Sequence, residues 1–326
     1  VTTDSAAAPL APALARRRRG VVDRVGDRVL HVVTLLAALI AAAVLAAIAY
    51  KVFQGAWSSI SQFGLGFLTT NDWDPVHNQF GAASFIYGTA VTSFGALLIA
   101  TPLSIAIALF LTELAPRATR TPIGTMVELL AAIPSVVLGL WGILVLGPPL
   151  QNTVEPALHS VLGWIPLFGG TYSPVGLFPA IVILTIMTVP IVSSLTREVF
   201  ATVPPGSKEG ALALGATRWE MIKTAVLPYS RPGIVAAVIL GLGRALGEAI
   251  AVTQVIGAAL GIHANLFIPG DTLASRIASQ YQGAPTVLQK SSIFYLGAIL
   301  LVLSLLFNGV ARLIVRRFTL RGAGIE

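Results

Sequence analysis

Arg244 and Glu248 are the residues whose types and spacing point to chemistry. They are the only charged side chains between Gly233 and Leu260, a stretch of 28 residues that reads "GIVAAVILGLGRALGEAIAVTQVIGAAL". A charge at the centre of a bilayer costs at least about 2.5–3.5 kcal/mol on insertion scales, so an ionisable residue in such a run points to function. On a helix the i, i+4 spacing puts the two on one face, about a turn apart, where they can pair. An arginine that faces a water-filled pathway offers a planar fork of donors to an oxyanion, and a neighbouring carboxylate holds it until substrate arrives. The alternative is a pair that only neutralises itself inside a bundle, with Gly243 and Gly247 admitting a neighbouring helix in small-xxx-small packing. Leucine at both positions would cross the membrane at lower cost, and buried ion pairs often stabilise less than apolar replacements, which favours the first reading.

The elements that position this pair are membrane helices. Hydrophobic residues make up 55% of the chain and charged ones 11%, and the mean hydropathy is +0.83, far from a soluble domain. A helix needs about 20 apolar residues to cross the hydrocarbon core, and six runs qualify: 29–52, 84–111, 123–147, 176–195, 233–257 and 292–314. The expected fold is therefore an all-α integral membrane protein with six transmembrane helices. "RRRRG" before the first run resembles the basic region of a signal peptide, but Val29–Val52 exceeds the usual apolar core of about 7–15 residues, so a retained anchor is expected. Seventeen of the 21 Lys and Arg residues precede span 1, lie between spans 2 and 3 or 4 and 5, or close span 6; the exceptions are Lys51, Arg244, Arg276 and Lys290. Basic residues stay on the cytoplasmic side, which puts both termini inside. The net charge of +7 is then topogenic, and no nucleic-acid partner is expected.

Other chemistries find no residues. There is no cysteine, hence no disulfide and no thiolate ligand. His31, His77, His159 and His263 are scattered singly, so no metal site is expected. No GxxxxGK[ST] loop and no HExxH motif occurs, so this is not an enzyme by itself, and transport energy must come from a partner or a gradient.

Loops divide the chain further. The first external loop, 53–83, carries Trp57, Phe63, Phe67 and Trp73, expected near the membrane interface. Loops 148–175 and 258–291 each have room for a short helix, the first over "VEPALHSVLGWI" and the second over the amphipathic "HANLFIPGDTLASRIASQYQGAP". Between spans 4 and 5, "REVFATVPPGSKEGALALGATRWEMIKTAVLPYSRPG" predicts two short helices: one from an N-cap at Ser207 to a terminating Gly215, the other ending before Pro228. Glu209, Gly210, Ala211, Gly215, Leu227 and Pro228 resemble the "EAA…G…LP" loop by which ABC importer permeases dock on their ATPase. Gly210 stands where that family usually has alanine, and Ala225 where it has a larger aliphatic residue.

The resemblance widens from there. "LGLGRALGEAIAVTQVIG", "VELLAAIPSVVLGLWG" and "FGLGFLTTNDWDPV" are similar to the fifth helix, third helix and first loop of the phosphate-specific ABC importer permeases, the PstC type, over about residues 60–315. It implies a type I importer permease (MetI-like) core at 84–314, with a coupling loop at 204–230. The remaining parts are an arm at 1–28, a first helix and loop at 29–83, and a tail at 315–326. It implies that Arg244 and Glu248 move phosphate, with the Ser135 and Thr253 hydroxyls as further candidates on the pathway unless they back-bond to their own helices. Glu128 is a structural or pathway charge that could pair with a basic loop residue. The implied partners are a second permease subunit (PstA type), an ATPase dimer (PstB type) that binds ATP and Mg, and an extracytoplasmic phosphate-binding protein (PstS type), in a bacterial plasma membrane. The alternatives are an importer for sulfate or molybdate, a gradient-driven carrier or channel, and a scaffold without transport.

Overall fold

The computed structural model describes residues 21–322, with side chains over 26–313 except 117. Most of the expected arm at 1–28 lies outside them. Helix α1 spans Val21–Phe63. Its residues up to Lys51 form a unit of their own, and the apolar side chains from Val29 to Tyr50 are almost all exposed, a surface suited to lipid.

The second unit begins at Val52. Its membrane helices are α2 (Ala83–Leu114), α4 (Ser135–Leu162), α5 (Leu177–Ala201), α7 (Arg218–Gly247) and α10 (Val287–Gly322). Helices are what apolar sequence must form in lipid, because every backbone N–H and C=O has to be satisfied within the segment. Short helices join them: α3 (Arg117–Ala132), α6 (Pro205–Ala213), α8 (Ile250–Val255) and α9 (Leu273–Gln280). A two-residue hairpin pairs β1 (Trp73–Asp74) with β2 (Gln79–Phe80).

α5 is the central helix: 72% of its most apolar window is buried, against 28% for α2, α4, α7 and α10. Small and hydroxyl-bearing residues bring α2 against it. A Cβ on Gly95 would stand 2.8 Å from Ile181, and the Ser104 hydroxyl donates to the Val189 carbonyl at 3.2 Å. Such contacts replace the hydrophobic drive that lipid removes. α7 meets α5 through Gly233 and Gly241, where a Cβ would lie 2.5 Å from Val199 and 2.7 Å from Val192.

Four expected boundaries move. Ile133 and Pro134 are extended (ψ 126° and 137°), the conformation favoured for a residue before proline, so the third span begins at Ser135 and not at 123, and α3 becomes a separate amphipathic helix. That span then runs on to Leu162 through two π-turns, taking in most of the residues expected as the second external loop. Pro228 does not end a helix either. A π-turn over Ile222–Val226 carries α7 from Arg218 into the membrane without the N–H that proline lacks. The amphipathic helix in the third loop is present as α9, and the last helix continues beyond 314 to Gly322.

At the end of the bundle away from α6, the aromatic residues of the first loop form a core. Phe67 and Trp73 are buried there with Phe80, Phe85 and Leu296 instead of facing outward, whereas Trp57 is exposed. Over this core lies an ion pair absent from the sequence reading: Arg276 Nε sits 2.7 Å from Asp271 Oδ2, with side chains 8% and 0% exposed. The guanidinium lies 4.8 Å from the centre of the Phe85 ring. Burial pushes the Asp271 carboxyl above its usual range, and the Arg276 charge pulls it back. Gly88 of α2 admits this segment: a Cβ there would stand 1.9 Å from the Asp271 carbonyl oxygen.

Candidate functional site

α7 stops at the pair that the sequence singled out. Glu248 is extended (φ −72°, ψ 112°), and a new helix, α8, starts at Ile250. The continuous helix expected across 233–257 is therefore broken, and irregular backbone at that depth is tolerated where it lines a cavity. A cavity of about 900 Å³ opens there, lined by Gly243, Arg244, Gly247 and Glu248 from α7 and its end, and by Asn308 and Arg312 from α10. Ile191, Ile239 and Leu240 provide apolar wall.

The glycines on either side of Arg244 are not contact points within the subunit. A Cβ on Gly243 or Gly247 meets nothing within 4 Å. Among the described residues they seat no helix of this chain; Gly233 and Gly241 do that, and the Arg244 face is left open within the subunit. Arg244 Nη2 and Glu248 Oε2 are 3.9 Å apart, a loose pair, with side chains 39% and 10% exposed. Glu248 is held instead by the start of α8, where its Oε1 accepts the Ala251 N–H at 3.3 Å. The arginine fork is thus only loosely engaged, and the carboxylate beside it is hydrogen-bonded to the α8 backbone.

Ser135 and Thr253 are not among the residues lining this cavity. Thr253 donates its hydroxyl to the Ala249 carbonyl at 2.6 Å, the back-bonding alternative. Glu128 pairs with Arg197 at the end of α5. Asn308 and Arg312 were missed because Arg312 reads, beside Arg316 and Arg317, as one more basic residue closing the last span. Their i, i+4 spacing was the available signal.

The second candidate region is the knob made by α6 and the start of α7. Pro204 caps α6 with Pro205 in its first turn, so Ser207 lies inside the helix and is not the N-cap. At the other end the Gly215 N–H bonds to the Leu212 carbonyl at 3.0 Å and the Ala216 N–H to the Ala211 carbonyl at 3.2 Å, the paired bonds of a Schellman turn. Gly215 has φ +86°, where a side chain would be strained. Thr217 and Glu220 then form a capping box that starts α7. The base of the knob is anchored: Ala211 and Leu227 pack on a core containing Phe200, Met221 and Val226, and Lys208 Nζ reaches Glu113 of α2 at 2.5 Å. Its outer side exposes Glu209, Leu212, Trp219 and Leu214, the last 91% exposed.

Gly210 has open space where a Cβ would be. Gly210→Ala is expected to stabilise α6 by about 0.5–1 kcal/mol without a clash. A rise in the melting temperature of the purified protein checks it; a fall would show that the position is crowded.

Residues 100–320 match the family described as the binding-protein-dependent transport system inner membrane component. The chain belongs to that permease family. Its relatives include the phosphate transport system permease protein PstC of Mesorhizobium japonicum, 45% identical over 95% of this chain and 97% of the relative. The corresponding protein of Pasteurella multocida is 41% identical over 93% and 97%, and PstC 2 of Mycobacterium tuberculosis is 40% identical over 89% and 92%. Among solved structures, a chain of a bacterial ABC transporter that imports the acidic polysaccharide alginate superposes with a TM-score of 0.58. It is 20% identical and covers 90% of this chain and 99% of its own, which establishes the fold of the permease as that of ABC importer membrane subunits. Among the described residues the permease has no cluster of three or more His, Asp or Glu that could hold a metal.

Proposed function

We propose that this chain is a membrane-spanning subunit of an ATP-driven importer of inorganic phosphate, with the Arg244 cavity as part of the anion path. The observation that carries the reading is the lining of that cavity. Two guanidinium groups, one carboxamide and one carboxylate line one open cavity between apolar walls, leaving one net positive charge for an oxyanion. The naming of the relatives as phosphate permeases supports phosphate over sulfate or molybdate.

A transporter without a nucleotide-binding loop must take its energy from elsewhere, and the knob has the form of a docking element. ATP and Mg bind on a partner ATPase dimer (PstB type), whose closure pulls on α6. Lys208 and the core beneath α6 pass that pull to α2 and α5, and the cavity opens to each side of the membrane in turn, as a two-state helix bundle can. A second permease subunit (PstA type) completes the pathway, and a phosphate-binding protein (PstS type) delivers the anion on the far side. The knob, both termini and the basic segments then lie in the cytoplasm.

The test is uptake of labelled phosphate into proteoliposomes carrying the assembled importer, with and without internal ATP, against unlabelled sulfate, molybdate and phosphate. ATP-dependent uptake displaced by phosphate alone is expected. Displacement by sulfate or molybdate would reassign the substrate, and uptake driven by an ion gradient without ATP would remove the ATPase from the account. A separate expectation concerns Leu214. Leu214→Asp puts a charge into the apolar part of the docking surface and is expected to release the ATPase subunits from the purified complex while the permease stays folded. Retention of the ATPase at wild-type stoichiometry would exclude Leu214 from the interface.

A further inference from the structure

Resting on the same reading of the cavity, we propose that Arg312 and Asn308 of α10 form a second anion-binding step, distinct from Arg244 and displaced toward the coupling knob. The cavity reaches along α7 from Gly247 back to Ala236, about 16 Å of helix at 1.5 Å per residue. α7 leaves the knob and rises through the bundle, and α10 returns to the knob's side. Arg312 therefore lies a turn beyond Asn308 in the direction of the knob.

Both side chains are uncommitted. Arg197, Lys208 and Arg276 each have a carboxylate partner within the protein, whereas Arg312 and Asn308 make no side-chain hydrogen bond or ion pair among the described residues. Glu248 is the sole carboxylate in the cavity lining, and it is taken up by the α8 backbone next to Arg244. An arginine kept only for topology needs no cavity, and Arg316, Arg317 and Arg321 follow it to supply that signal. An arginine that lines this cavity with its donors free is set to receive an oxyanion leaving Arg244, with the Asn308 amide bridging the two positions. Two adjacent sites of moderate strength let an anion move on, where one deep site would trap it.

The test is ATP-driven phosphate uptake by the assembled importer carrying Arg312→Gln, with Arg244→Gln in parallel. Arg312→Gln is expected to lower uptake about tenfold, while subunit stoichiometry, ATPase activity and the location of the carboxyl terminus are unchanged. Arg312→Lys, which keeps the charge and loses the fork, should recover part of it. Wild-type uptake in Arg312→Gln, with Arg244→Gln inactive, overturns the second step and leaves the first. Wild-type uptake in both variants overturns the cavity itself. If Arg312→Gln does not assemble, Asn308→Asp decides: a carboxylate there repels the anion and should lower uptake about tenfold, and unchanged uptake overturns the proposal.

Discussion

Asp271→Ala is expected to destabilise the permease by about 3–5 kcal/mol, because it strands the Arg276 guanidinium without its counter-charge. Arg276 is 8% exposed and its partner is fully buried, so water cannot take the place of the carboxylate. Its remaining contacts are a 3.3 Å hydrogen bond to the Ala258 carbonyl and the faces of Phe85 and Trp73. They hold the side chain in place without balancing its charge. The double replacement Asp271→Ala with Arg276→Met is expected to recover most of the loss, since methionine can lie on the Phe85 ring without a charge to desolvate. Thermal unfolding of the purified protein, followed through tryptophan emission, checks both. Equal melting temperatures for Asp271→Ala and wild type would mean that the pair contributes nothing.

The six spans were legible because lipid imposes a length and an apolar composition that survive in a bare sequence. Their ends were less so. Pro134 and the break at Glu248 both lie inside apolar runs, and hydropathy does not register a backbone that turns there. Pro228 misled in the opposite direction, since a π-turn upstream absorbs it. The short helix after span 4 and its stop at Gly215 were readable from the Pro204–Pro205–Gly206 and Gly215 punctuation, a local pattern. The cavity was half readable. Arg244 and Glu248 stand out against their own helix, but which faces of α7 and α10 meet cannot be read from helices that are apolar all round. Arg312 was hidden among basic residues that share its charge, and Asp271–Arg276 lay in an amphipathic stretch whose polar residues read as facing outward. In each case the missing information was a contact between residues far apart in sequence, or a helix end set by such contacts.

Arg244→Gln has the largest functional effect expected. Hydrogen bonds to a charged group contribute about 1.5–3 kcal/mol, so losing the guanidinium fork slows uptake roughly 10–150-fold. The loss is asymmetric, because Glu248 stays where it accepts the α8 backbone N–H and then faces the arriving anion without the cation it is paired with. Arg244→Gln with Glu248→Gln is therefore expected to transport better than Arg244→Gln alone. Glu248→Gln by itself is expected to be milder, since its contact with Arg244 is a loose one of 3.9 Å.

The measurement that bears most directly on the cavity as the anion path is phosphate moved per ATP hydrolysed, in proteoliposomes of the assembled importer, for wild type and Arg244→Gln. The prediction is an intact complex that still hydrolyses ATP while phosphate delivery collapses, so that the ratio falls by at least about tenfold. A wild-type ratio in Arg244→Gln would contradict it, and would place the route of the anion elsewhere in the subunit or on its partner.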